Sequence, residues 1–182
     1  MRPEVVIVMG VSGSGKTVVG RELARAIGCP FHDADDDHPP ANVARMRAGT
    51  PLTDADRDPW LFALAERVRA TLAGPDGPGI VLACSALARV SRRRLGVGQA
   101  AVRLVHLDGD PAVIRTRLAA RRDHFMPASL LDSQLAALER PGPDERPIVV
   151  DVADAPERIV ATTRARLARG HAVAPPPRPP RG

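Results

Sequence analysis

Apolar residues in this chain follow two alternating patterns. Short unbroken runs, of which Val5-Val6-Ile7-Val8-Met9 is the clearest, are separated by longer stretches with apolar positions at helical spacing. The runs predict strands at Val5–Met9, Pro30–Asp33, Ile80–Cys84, Arg103–Leu107 and Ile148–Asp151. The first, third and fifth are almost continuously β-branched or apolar, as strands covered on both faces must be. Helices are expected over Lys16–Ile27, Ala41–Ala48, Asp56–Ala73, Ala86–Leu95, Pro111–Arg121, Ala128–Leu138 and Pro156–Ala168. Asp110 before Pro111 offers an N-cap with proline at the first helical position. The glycine- and proline-rich run from Gly74 to Gly79 marks a turn into the third strand. Strands alternating with helices in this way predict an α/β fold with a parallel sheet.

Length and composition refine that picture. A chain of 182 residues makes one domain, here residues 1–170, followed by a Pro/Arg-rich stretch, 171–182, that has nothing to bury and is expected as a disordered tail. Aromatics are only 2% of the chain, so the core must be built from Ala, Val, Leu and Ile. No apolar stretch approaches the roughly 18 residues that suggest a membrane span, and no signal-peptide core opens the chain. Cys29 and Cys84 fit no metal-ligand spacing and read as reduced thiols of a cytoplasmic protein.

The formal net charge of +5 raises the question of nucleic acid. Much of the excess lies in Arg89, Arg92, Arg93 and Arg94 and in Arg178 and Arg181 of the tail. No RNA-binding signature accompanies them, and almost no aromatic residue is present for bases to stack on. A small anionic substrate accounts for local arginines equally well. No nucleic-acid partner and no membrane partner are therefore expected.

The chemistry begins at Gly10-Val11-Ser12-Gly13-Ser14-Gly15-Lys16-Thr17, a complete G-x-x-x-x-G-K-[ST] phosphate loop between a strand and a helix. Gly10, Gly13 and Gly15 let backbone N–H groups turn inward, with those of Ser12 and Ser14 among them, and the new helix adds its positive end. Lys16 can reach the β- and γ-phosphates of ATP, and the Thr17 hydroxyl can ligate Mg²⁺. Lys16 is the only lysine in the chain.

Ligands of open α/β sheets bind beyond the C-terminal strand ends, which brings Asp33-Ala34-Asp35 and Cys84-Ser85-Ala86 toward the loop. Phosphoryl transfer to an alcohol needs one carboxylate near the metal and another near the acceptor hydroxyl. If the strand continues, Asp33 and Asp35 point to one side. No Walker-B aspartate stands in Ile80–Cys84, so Asp33 is the candidate metal residue. Arg117 and Arg121 share a helix face beside the segment Arg122–Pro127, which is expected as a lid over roughly 121–133 that closes on the triphosphate and excludes water. From these residues alone, a kinase for a small hydroxy acid and an ATP-binding regulatory protein both remain open.

Two longer blocks narrow the reading. Asp33-Ala-Asp-Asp-Asp-His38-Pro39 with Pro51-Leu-Thr-Asp-Ala-Asp-Arg57-Asp-Pro-Trp60-Leu61, and His124-Phe-Met126 with Ser133-Gln134, resemble gluconate kinase of the short phosphate-loop, shikimate-kinase-like type. The resemblance continues through Cys84-Ser-Ala-Leu87 and Arg92 and covers roughly residues 5–168. It implies a three-layer fold with a five-stranded parallel sheet in the order 2-3-1-4-5, a small lid, and commonly a homodimer. It implies ATP-dependent phosphorylation of D-gluconate at its 6-hydroxyl, giving 6-phosphogluconate for the pentose phosphate route.

By the same resemblance, Asp35 is the candidate base or orienter, and His38 and Arg57 hold the sugar acid. Arg92 is a second candidate carboxylate clamp, and Trp60 a wall of the sugar site. The chain departs from the family pattern where a lysine and a tyrosine usually stand, at Ala88 and Ser91.

Overall fold

The computed structural model describes residues 4–74, 77–120 and 129–169. Five strands, β1 (Val5–Met9), β2 (Phe31–Asp33), β3 (Ile80–Ala83), β4 (Val102–Asp108) and β5 (Ile148–Asp151), form one parallel sheet. Their order is β2-β3-β1-β4-β5, the order expected from the resemblance. The helices are α1 (Lys16–Ile27), α2 (Pro40–Arg47), α3 (Asp54–Ala73), α4 (Arg89–Arg94), α5 (Pro111–Ala119), α6 (Ser129–Ala136) and α7 (Pro156–Ala168).

Alternation along β1 divides the core into two layers. Val5, Ile7 and Met9 lie on one sheet face with Leu82 and Leu104, in a cluster with the α3 residues Trp60, Leu64 and Val68. Val6 and Val8 face the other way, toward Leu23 of α1, Ile114 of α5 and Ile159 of α7. All five β1 residues are buried, so the central strand is apolar throughout for want of any wet face. Burial of these aliphatic side chains is the main driving force for the three-layer arrangement.

At three places a local interaction or backbone conformation explains a departure from the sequence expectation. Helix α3 starts two residues early because Thr53 and Asp56 form a capping box: Thr53 Oγ1 accepts from Asp56 N, and Asp56 Oδ2 accepts from Thr53 N. Helix α4 starts three residues late because Ala86 has φ 43° and Ala88 is extended, which keeps 86–88 out of the helix. The acidic run does not prolong β2. It winds into a 3-10 turn, Ala34–Asp37, capped by Asp33, whose Oδ1 accepts from Asp35 N at 3.2 Å.

Most of the expected lid (121–128), the expected catalytic residue Arg121 and the tail 171–182 lie outside the described residues. The last part of the lid range, 129–133, is the first part of α6.

Candidate active site

The phosphate loop joins β1 to α1 and turns on glycines at positive φ. Gly13 has φ 82° and Gly15 φ 95°. A Cβ at Gly13 would press on Ile114 and Leu118 of α5 at 3.1–3.3 Å, whereas one at Gly15 would meet nothing within 4 Å. The loop is thus packed on its α5 side and open at Gly15, where α1 begins without a side-chain cap. A helix start with uncapped N–H groups attracts an anion. Lys16 Nζ donates to the Val11 carbonyl oxygen at 3.1 Å, which folds the ammonium back over the loop. Ser14 Oγ is buried with no hydrogen-bond partner among the described residues.

The acidic turn meets this loop through one short contact. Thr17 Oγ1 donates to Asp33 Oδ2 at 2.7 Å, so the loop threonine and the β2 carboxylate share one place. A hydroxyl and a carboxylate so joined are oxygen donors of the kind a hard divalent cation takes. Among the described residues no group of three or more His, Cys, Asp or Glu side chains is gathered for a metal. Behind the turn, His32 Nε2 pairs with Asp37 Oδ2 at 2.7 Å and Arg67 reaches Asp37 Oδ1 at 3.5 Å. Asp37 therefore anchors the turn, while Asp35 faces the cavity.

That cavity, of about 150 Å³, brings Ser12 and Lys16 together with Asp35, His38 and Arg57. The His38 ring stacks on Trp60, with centroids 4.2 Å apart and planes 13° from parallel. Trp60 is both wall and core: it lines the cavity, is 4% exposed, and donates from Nε1 to the Ala34 carbonyl at 2.7 Å. Burial pushes the His38 imidazole below its ordinary pKa, as the Arg57 charge also does, against the opposing pull of Asp35 and Asp37. Its Nδ1 is buried without a hydrogen-bond partner among the described residues, and a bound hydroxyl would supply one. Arg57 is held by the Leu52 carbonyl and the exposed Asp54 carboxylate, which engage two of its five N–H groups. Cys84 also lines the cavity, but burial first and Asp35 second push its thiol up to about 12, so it offers no thiolate.

The opposite wall contains two features that sequence reasoning left without a role. Gln134 of α6 lines the cavity, and its Oε1 accepts from Ser12 N of the phosphate loop at 2.6 Å. The Ser-Gln block gave the only sequence signal for it. Ala88 and Ser91, the two positions that depart from the family pattern, line the cavity as well. Small side chains there leave room that a lysine and a tyrosine would fill.

Arg92 corrects the sequence expectation of a carboxylate clamp. Its side chain is fully buried and is not among the cavity residues. Nε and Nη2 donate to the two carboxylate oxygens of Glu145 at 2.6 and 3.0 Å, and Nη1 donates to the carbonyls of Ala86 and Leu87. The guanidinium cannot reach a substrate while it makes these four bonds. No sequence signal marked Glu145, whose partner lies 53 residues away. Arg117 is half-buried on α5, also outside the cavity residues, so the structure leaves its expected part in catalysis without direct contact.

Glu145 gives a pH prediction. Burial alone would push its carboxyl up, but hydrogen bonds from Arg92 and from Gly142 N, with the Arg92 and Arg89 charges, hold it below the ordinary value of 4.5. A lowered folded-state pKa contributes stability that is complete above the unfolded value and lost as pH falls through the folded one. Thermal melts should show an acid limb below about pH 4.5 that Glu145→Gln flattens. An unchanged limb would assign acid lability elsewhere.

No helix among the described residues is long and apolar enough to cross a membrane. A family model described as an AAA domain matches residues 5–141. The chain is 46% identical over 164 residues to gluconokinase of Gluconobacter oxydans, covering 88% of this chain and 89% of that protein. Among solved structures it resembles a sugar kinase from Janibacter sp. with TM-score 0.83 and 46% identity, covering 91% of this chain and 95% of that one. A gluconokinase from Sinorhizobium meliloti aligns with TM-score 0.80 and 44% identity over 92% of this chain and 93% of its own. Nearly full-length identity at this level, on a phosphate-loop site joined to an acidic turn, places the chain in the gluconokinase family.

Proposed function

We propose that the protein transfers the terminal phosphoryl group of ATP to the 6-hydroxyl of D-gluconate, giving 6-phosphogluconate and ADP in gluconate degradation. The observation that carries this reading is the convergence of Lys16 of the phosphate loop with Asp35, His38 and Arg57 on one cavity. Kinship with gluconokinases supports the choice of acceptor.

In this reading the Ser12–Thr17 backbone cradles the phosphates and Lys16 balances charge that builds up on the transferring group. Asp35 orients the acceptor hydroxyl and takes its proton as the oxygen attacks phosphorus and the bond to ADP breaks. His38, neutral at pH 7, hydrogen-bonds a sugar hydroxyl through Nδ1, and Arg57 clamps the carboxylate. Thr17 and Asp33 are the residues that would hold Mg²⁺, which when bound neutralises phosphate charge. Arg117 and Arg121 are assigned to triphosphate charge on closure of the segment they flank. The protein acts in the cytoplasm as a homodimer, a state that sedimentation measures directly.

The carboxylate clamp makes a clear expectation. Glucose and gluconolactone, which lack a carboxylate, should be poorer substrates than gluconate by at least about 10²-fold, because a charged partner is left unpaired. Arg57→Ala should raise KM for gluconate strongly and leave KM for ATP nearly unchanged in a coupled ADP-release assay. Equal turnover of glucose and gluconate would remove the clamp, and a preference for shikimate would overturn the acceptor assignment.

A further inference from the structure

The wall of the cavity opposite His38 and Arg57 is an irregular turn, and its conformation needs an external hold. Ala86 sits at φ 43°, a left-handed conformation that a residue with a Cβ adopts at a cost. Ala88 is extended, so 84–88 follows neither β3 nor α4. Cys84 N still donates to Val8 O of β1 at 3.1 Å, and beyond it the turn leaves the sheet. What meets it from behind is Arg92. A single nitrogen, Nη1, donates to both Ala86 O, at 3.1 Å, and Leu87 O, at 2.8 Å.

Arg92 is itself held. Glu145 receives Nε and Nη2 in a two-pronged pair, and its Oε2 also accepts from Gly142 N at 3.0 Å. The side chains of the pair are 0% and 4% exposed, so neither is a surface ion pair that water could exchange. From the same stretch of chain, Glu139 joins the wall twice: its backbone N donates to Leu87 O, and its carboxylate accepts from Arg89 N at 2.6 Å. The turn is therefore bolted to 139–145. A buried ion pair is seldom worth much in net stability, and its better-attested use is to specify one arrangement.

We propose that Arg92 and Glu145 are positioning residues that set acceptor specificity: the pair holds the 84–88 turn, and with it Ala88 and Ser91, in the shape that fits the sugar acid. The cavity wall lost side-chain bulk at positions 88 and 91, and the rigid backbone supplies definition that those side chains do not. The inference rests on the acceptor reading given above for its kinetic part, but the hold on the turn stands independently of which hydroxy acid binds.

The test uses the full chain with Arg92→Lys, which keeps the charge but not the fork, and Glu145→Gln. Hydrogen exchange is read without any acceptor. Amides of 84–91 should exchange at least about tenfold faster in both variants, with β1 and the phosphate loop unchanged. In the kinetic arm, KM for gluconate should rise about tenfold while KM for ATP stays within about twofold, and discrimination between gluconate and other aldonic acids should narrow. A double replacement, Arg92→Met with Glu145→Leu, fills the space with apolar groups and restores packing, so a folded protein is retained for measurement. It should lose specificity as the single variants do. Unchanged exchange at 84–91, or KM for both substrates rising together in a folded variant, would overturn the proposal. If the unaltered protein fails to phosphorylate gluconate while exchange behaves as described, the acceptor reading fails and the positional hold survives.

Discussion

Asp35→Asn is expected to lower kcat for gluconate by about 10²–10⁴-fold, the loss associated with removing a general base. Asparagine matches aspartate in size and still fills its place at the cavity, so the 3-10 turn should persist. That turn is held by Asp33, through its contact with Asp35 N, and by the Asp37 pair with His32, none of which uses the Asp35 side chain. Nucleotide affinity should therefore change little. Single-turnover kinetics with a titration of a non-hydrolysable ATP analogue separates the two effects. If Asp35→Asn abolishes nucleotide binding and Asp33→Asn spares it, the roles of the two carboxylates are the reverse of those proposed.

Lys16→Ala carries the second large effect. The residue is half-buried, lines the cavity and donates to the Val11 carbonyl. It stands in neither apolar layer of the core, so the melting temperature without ligand should stay close to that of the parent. Loss of the ammonium should lower kcat by about 10²-fold or more, because charge that builds up on the transferring oxygens then lacks the side-chain cation proposed to balance it. Near-normal turnover in this variant would exclude the assigned role.

Much of the architecture was legible from apolar periodicity. The strands and most helices lie where the runs placed them, and β1 shows why: a strand buried on both faces has no polar position to obscure it. The phosphate loop was legible because its glycines and lysine answer a local demand for inward N–H groups. The 3-10 turn at Ala34–Asp37 was not. An acidic run after a strand reads equally as extension or as turn, and a carboxylate cap on the Asp35 amide decided between them. The α4 boundary was missed for the same kind of reason, since nothing about Ala86 in the sequence announces a left-handed conformation.

Arg92 marks the sharper limit. An arginine after a pocket motif suggests an anion clamp, and only the packed structure shows Glu145 beside it. The sequence by itself determined what is local: sheet-forming runs, the starts of α1, α5 and α7, the phosphate loop, and the family blocks that hold Asp35, His38 and Arg57. Tertiary structure alone decided the pairings that no motif joined: Ser12 with Gln134, and Arg92 with Glu145. The physical reason is that strand and helix signals arise from neighbours a few residues apart, whereas a guanidinium's partner is whichever carboxylate the completed fold buries against it.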